Sequence, residues 1–255
     1  MSTRIKYFFS YASLLVLLVG LLTTSCSRKK STVLTRAYHN TTSRYNGYFN
    51  ARETMKTNDK QLRSQFVDDY SQVLPIFIYP DEKKSQAMYP DMDKIIEKCS
   101  QVIERHSMYI KKKENIKWID DSYFLIGKAR MYKREYSLAE ETFLYVYQAF
   151  KKDPYRYQGL NWLIRSYIET EQWDKAEEFL DLAEEENKKY PEELRGEYYA
   201  IYADYYLKKE KNRVRAIENL EDAVKLTKDK ESRRRYTFIL AQLYLKDRNF
   251  ARSTE

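Results

Sequence analysis

Four stretches of this chain repeat one pattern: YFLIGKARMYKREYSLAEETFLYVYQAF from Tyr123, LNWLIRSYIETEQWDKAEEFLDLAEEE from Leu160, YAIYADYYLKKEKNRVRAIENLEDAVKL from Tyr199, and TFILAQLYLKDRNFARSTE from Thr237. In each, apolar residues spaced three and four apart give way to a short polar turn and then a second segment with the same spacing. That is the pattern of two helices folded back on each other. One such hairpin leaves its apolar face open to water, so successive hairpins stack and share a core. Composition agrees, because 5 Gly and 5 Pro in 255 residues are too few breakers for anything but helix nearly throughout.

The register follows from the small residue that opens each second helix: Ala139, Ala176, Ala216 and Ser253, spaced 37, 40 and 37 residues apart. Three residues earlier stand Tyr136, Trp173 and Phe250, with Arg213 as the exception; four residues later come Phe143, Leu180 and Leu220. In the first helices Ile126, Leu163, Tyr202 and Leu240 share an apolar position, followed by Gly127, Ala203 and Ala241 where helices must approach closely. Ile164 interrupts that series, and Pro154 and Pro191 close the first two units. Over residues 116–255 these features resemble tetratricopeptide repeats, whose period is about 34 residues. The expected fold is all-α, a tetratricopeptide-type helical-hairpin array, or α-solenoid. The fourth unit ends a turn or less into its second helix, so the array is expected to continue beyond Glu255.

Ahead of the repeats, Arg4 and Lys6 precede an uncharged apolar run from Phe8 to Leu22, and LLTTSCSRKK follows it. A basic start, an apolar middle and small residues near a cut describe a secretory signal segment, with cleavage between Ser25 and Cys26. A cysteine at that place resembles a bacterial lipobox, in which Cys26 carries covalent lipid, although Leu22 lies one residue further from it than the consensus leucine. The alternative is an uncleaved membrane anchor. Against it, the run is short of the roughly 20 residues that span a bilayer; for it, Arg28, Lys29 and Lys30 would hold the body on the cytoplasmic side. The expected organisation is a signal peptide over 1–25, a basic tether over 26–34, an N-terminal helical region over 35–115 and repeats over 116–255. Segment 92–106 reads as another second helix. The insertion 69–91, with three prolines and the apolar LPIFIYP, packs on the array or meets a partner, packing being the preferred reading.

TRAYHNTTSRYNGYFNARETMK (35–56) and KWIDDSYFLIGKARMYKREY (117–136) resemble the PorW/SprE lipoproteins of type IX secretion and gliding systems. That resemblance implies an outer-membrane lipoprotein facing the periplasm. It would be non-enzymatic and would couple motor and ring components of the secretion machine to the outer-membrane translocon. The basic SRKK after Cys26 agrees with a periplasmic orientation. The competing expectations are a tetratricopeptide lipoprotein of the β-barrel assembly machine and a solute-binding lipoprotein of glycan uptake. Five glycines argue against the latter.

A stacked array presents a concave surface lined by its first helices. The register nominates Asp121, Lys128, Asn161, Arg165, Asp204 and Gln242 as exposed partner-binding residues there. Their mixed charges do not make a carboxylate clamp, so a folded protein partner is expected. No cofactor is expected besides the lipid on Cys26. Cys99, among Ile95, Ile96, Val102 and Ile103, reads as a buried small hydrophobe. His39 and His106 lack metal-ligand spacing. The acidic pairs Asp120–Asp121 and Glu184–Glu186 read as salt-paired surface or helix-cap groups, since neighbouring helical residues point about 100° apart. The net charge of +8 is spread over many residues and gives no nucleic-acid signal. With no nucleophile motif or phosphate loop, neither an enzyme nor a small-molecule substrate is expected. The tyrosines of EYYAIYADYYL are expected mainly to fill gaps between helices.

Overall fold

A computed structural model describes residues 31–246 apart from Lys152, with the side chain of Asn46 left aside. Cys26, the segment before it, and Phe250 and Ser253 of the last unit lie outside the described residues. Helix α1 (Val33–Thr42) runs through a π-helical turn (Ser43–Tyr48) into α2 (Phe49–Ser64). After an extended strap over 66–80, α3 (Glu82–His106) returns alongside α2. A short antiparallel hairpin, β1 (Tyr109–Ile110) and β2 (Lys113–Glu114), leads to the repeats. These comprise α4 (Trp118–Tyr132) with α5 (Tyr136–Ala149), α6 (Arg156–Glu169) with α7 (Trp173–Glu185), α8 (Glu192–Tyr205) with α9 (Arg213–Leu226), and α10 (Lys230–Lys246). The fold is the stacked array of helical hairpins that the sequence periodicity implies.

The repeat positions behave as their chemistry requires. Ala139, Ala176 and Ala216 are completely buried where paired helices meet, and Phe143, Leu180 and Leu220 fill the space one turn later. A Cβ on Gly127 would stand 2.6 Å from the Phe143 ring, so only glycine allows that approach. Each hairpin turn also carries one left-handed residue, Arg134 (φ 61°), Glu171 (φ 55°) or Lys211 (φ 54°), at the spacing of the alanines themselves. In α10 the buried stripe is Tyr236, Ile239 and Leu243, so Leu240 lies at its edge rather than inside it.

Two readings of the N-terminal region need correction. Helix α3 begins at Glu82, ten residues before the expected start, and Pro90 lies inside it. Asp81 caps it by accepting the Lys84 N–H at 2.8 Å. Pro90 is on the exposed face, where water can satisfy the carbonyl that loses its helical partner. The irregular segment is therefore shorter than 69–91, and the β1–β2 hairpin is an element that no sequence pattern announced. In α3, Cys99 is completely buried, and burial pushes its thiol up to about 12.

Candidate functional site

Helices α2, α4, α6, α8 and α10 line the inner face of the array, and the strap lies across it. Leu74 and Ile76 enter the core formed with Ala200, Ala203, Tyr236, Ile239 and Leu243, while Phe77, Ile78 and Tyr79 pack on the main core. The strap is held as a bound peptide would be. The Gln242 side chain accepts the Leu74 N–H at 3.0 Å and donates to the Gln72 carbonyl at 2.9 Å. Arg235 donates to the Pro75 carbonyl at 2.8 Å and to both Asp68 carboxylate oxygens at 3.2 and 2.9 Å. Arg165 donates to the Tyr79 hydroxyl at 2.8 Å, and its guanidinium sits 4.0 Å from the centres of the Phe77 and Trp162 rings. Such stacking of a planar cation between aromatic faces strengthens as water is excluded.

The six nominated residues fall differently from the expectation, and none is an exposed groove residue. Asn161, Arg165 and Asp204 are buried, at 1%, 8% and 3% exposure, while Asp121, Lys128 and Gln242 are half-buried. Covering by the strap, together with pairing inside the array, is the reason. Arg165 meets Glu197 at 2.6 Å, and Glu197 also accepts from Asn161 at 3.3 Å. Lys128 pairs with Asp59 at 2.5 Å; burial pulls its ammonium down, and Asp59 offsets that in part. Lys208 bridges Asp204 and Glu169 at 3.2 Å each, and burial raises the Asp204 carboxyl despite that lysine. Asp121 accepts from the buried Tyr48 hydroxyl at 2.9 Å, toward α2. Of the six, Gln242 and Arg165 act on an extended segment, and that segment belongs to this chain.

Beside the strap remains a cavity of about 490 Å³ bordered by Asp59, Trp162, Glu193, Asp229 and Tyr236. Arg63 at the end of α2 closes one side of it, reaching Glu231 at 3.1 Å and Asp229 at 3.7 Å at the start of α10. Helices α2 and α10 thus meet around the strap.

Two polar clusters escaped the sequence reading. Asp120 is buried rather than salt-paired at the surface, and it hydrogen-bonds to Asp153. Burial first, and the Asp121 charge second, push its carboxyl up to about 8; burial likewise raises Asp121 to about 6. Of the other acidic pair, Glu184 is exposed and Glu186 accepts from Tyr147 and meets Arg156 at 3.4 Å. His39 and His106, 67 residues apart, face each other with Nδ1 atoms 3.0 Å apart. No group of three or more metal-ligating side chains occurs among the described residues. The tyrosines form a ladder from Tyr157 to Tyr190, Tyr198 and Tyr202, with ring centres 4.5, 5.0 and 4.8 Å apart, filling the joint between units.

No protein-family model matches the chain. No curated protein matches it either. Among solved structures it is similar to two crystal structures of nearly identical TPR-like repeats from Podosopora anserina, assigned there to a putative kinesin light chain, one of them a single-residue variant. Identity is 18% and 17%, 68% of this chain is covered in both, as is 87% and 88% of the other chain, and the TM-scores are 0.45 and 0.44.

Proposed function

We propose that the chain is a lipid-anchored, periplasm-facing scaffold of the outer membrane that couples ring and motor components of a type IX secretion machine to its translocon. The fold supports the general part of this reading: a stacked array of helical hairpins is an architecture for holding other proteins. One observation supports the specific part. The two stretches that resemble PorW/SprE lipoproteins, 35–56 and 117–136, pack directly on each other. Tyr48 stacks on Trp118 with ring centres 5.1 Å apart, Arg44 lies 5.2 Å over the same indole, and Asn40 accepts the Lys117 N–H at 2.9 Å. The resemblance therefore falls on one contiguous unit of structure rather than on two unrelated segments.

The filled groove favours docking outside it. Unseating Leu74 and Ile76 alone would expose side chains worth about 1.5–3 kcal/mol each, before the clamps of Gln242, Arg235 and Arg165 are counted. A competing peptide would have to replace all of these, so the proposed partners are folded proteins that bind outside the groove. The test is a pull-down of the tagged full-length protein from cross-linked cell envelopes, with mass spectrometry of what co-purifies. Type IX ring or translocon subunits support the reading. Recovery of the β-barrel assembly machine or of glycan-uptake components instead sinks the specific part and leaves the scaffold.

A further inference from the structure

We propose that the pole of the array where the described chain begins is a docking surface for a bilayer with anionic headgroups. The surface is built from two elements far apart in sequence. Ser31 donates to Asn115 Oδ1 at 3.3 Å, Lys117 N–H donates to Asn40, and His39 meets His106, so the start of α1 lies along the segment that contains the β1–β2 hairpin. Arg36 fixes the chain entry by donating to the Ser31 carbonyl and hydroxyl at 3.3 and 3.0 Å.

The hairpin tip carries Lys111, Lys112 and Lys113, all exposed and with no ion-pair partner among the described residues. Lys111 and Lys112 have φ of 54° and 57°, the conformation of a two-residue turn that strongly favours Asn-Gly. Lysine at both positions works against the backbone, and an outlier of this kind points to a role for the side chains. The carboxylate next in sequence is consumed at the base of the hairpin. Glu114 accepts the N–H groups of Met108, Asn115 and Ile116 at 2.8–2.9 Å and the Ser107 hydroxyl at 2.6 Å. Glu104 and Arg105, adjacent at the end of α3, add no net charge to this pole.

Apolar groups are exposed at the same pole: Val33 at 73%, Leu34 at 82% and Tyr109 at 60%. Basic residues beside exposed aliphatic and aromatic side chains make an interfacial surface, with the charges meeting headgroups and the apolar groups entering the acyl boundary. Reach is favourable. The five residue steps from Cys26 to Ser31 span at most about 18 Å, so a lipid on Cys26 keeps this pole within a few Debye lengths of about 8 Å from the membrane. This inference rests on the lipid-anchor reading only for that proximity.

The test uses the full-length protein in nanodiscs of phosphatidylcholine with or without phosphatidylglycerol, followed by hydrogen exchange. Peptides covering 31–38 and 109–114 should exchange severalfold more slowly in the anionic discs, and molar salt should abolish the difference. The triple variant K111Q/K112Q/K113Q should lose the protection. Leu34→Ser, which leaves the charges in place, should reduce it. Equal exchange in the two discs, or protection that survives the glutamines, overturns the proposal; the former would leave the pole to an acidic protein. Intact mass of the same sample reports acylation of Cys26, so failure of the lipid-anchor reading is seen separately.

Discussion

At the residue scale, the left-handed residue in each hairpin turn shows a repeat device that side-chain patterns conceal. Arg134, Glu171 and Lys211 share a backbone conformation but no side-chain chemistry, so nothing in their identities marks the turn. Glu171 is exposed, and relieving its strain should outweigh the added freedom of the unfolded chain. Glu171→Gly is expected to stabilise the fold by about 0.5–1 kcal/mol, read as a higher denaturation midpoint; a loss of stability would contradict this view of the turn. Asp120 belongs to the same scale. Its folded-state carboxyl titrates far above the ordinary value of 3.8, up to about 8. Its contribution is therefore full below the ordinary value, falls as pH rises, and is gone above about 8. Relative to Asp120→Asn, the parent should lose stability steadily between pH 5 and pH 8, and a constant difference would refute the raised Asp120 carboxyl. The sequence revealed Asp120 and Asp121 as a pair, but Asp153 beside Asp120, and Tyr48 and Tyr155, which both hydrogen-bond Asp121, come from other elements, and spacing cannot show that.

At the element scale, helices and their pairing were legible because each hairpin repeats one code: a small residue at the crossing, as at Ala139 and Ala176, and a bulky one a turn later, as at Phe143 and Leu180. The strap was visible only as an interruption. LPIFIYP has too many apolar residues for a solvated loop, but its seat depends on Gln242 and Arg235, some 170 and 160 residues away. That distance also explains why periodicity alone presents Arg165 and Gln242 as open groove residues. Periodicity assigns a helix face correctly and says nothing of what covers it. If the strap is a structural member, Ile76→Ala should cost about 2–4 kcal/mol, as for any truncated core aliphatic. If the strap were a loosely laid cover, the same change would shift the denaturation midpoint hardly at all.

At the scale of the whole molecule, an open solenoid holds together through neighbours alone, so its stability is a sum of local terms and its ends fray independently. This array departs from that scheme. The strap leaves α2 at one end and binds Arg235 and Gln242 on α10 at the other, and Arg63 joins the same two helices. These long-range ties couple α2 to α10, so the described region should unfold in one cooperative transition. The double variant Arg235→Ala with Gln242→Ala removes the hydrogen bonds to Asp68, Gln72, Leu74 and Pro75 without touching any core side chain of α10. In it, urea unfolding should split or broaden, and hydrogen exchange should show α8–α10 opening before α3–α6. A single sharp transition at a lower midpoint would mean that packing of Leu74 and Ile76 suffices for the coupling, with the polar clamps adding stability but not cooperativity. The outcome bears on the proposed role, because a scaffold that passes force between membrane-attached components gains from unfolding only as a unit.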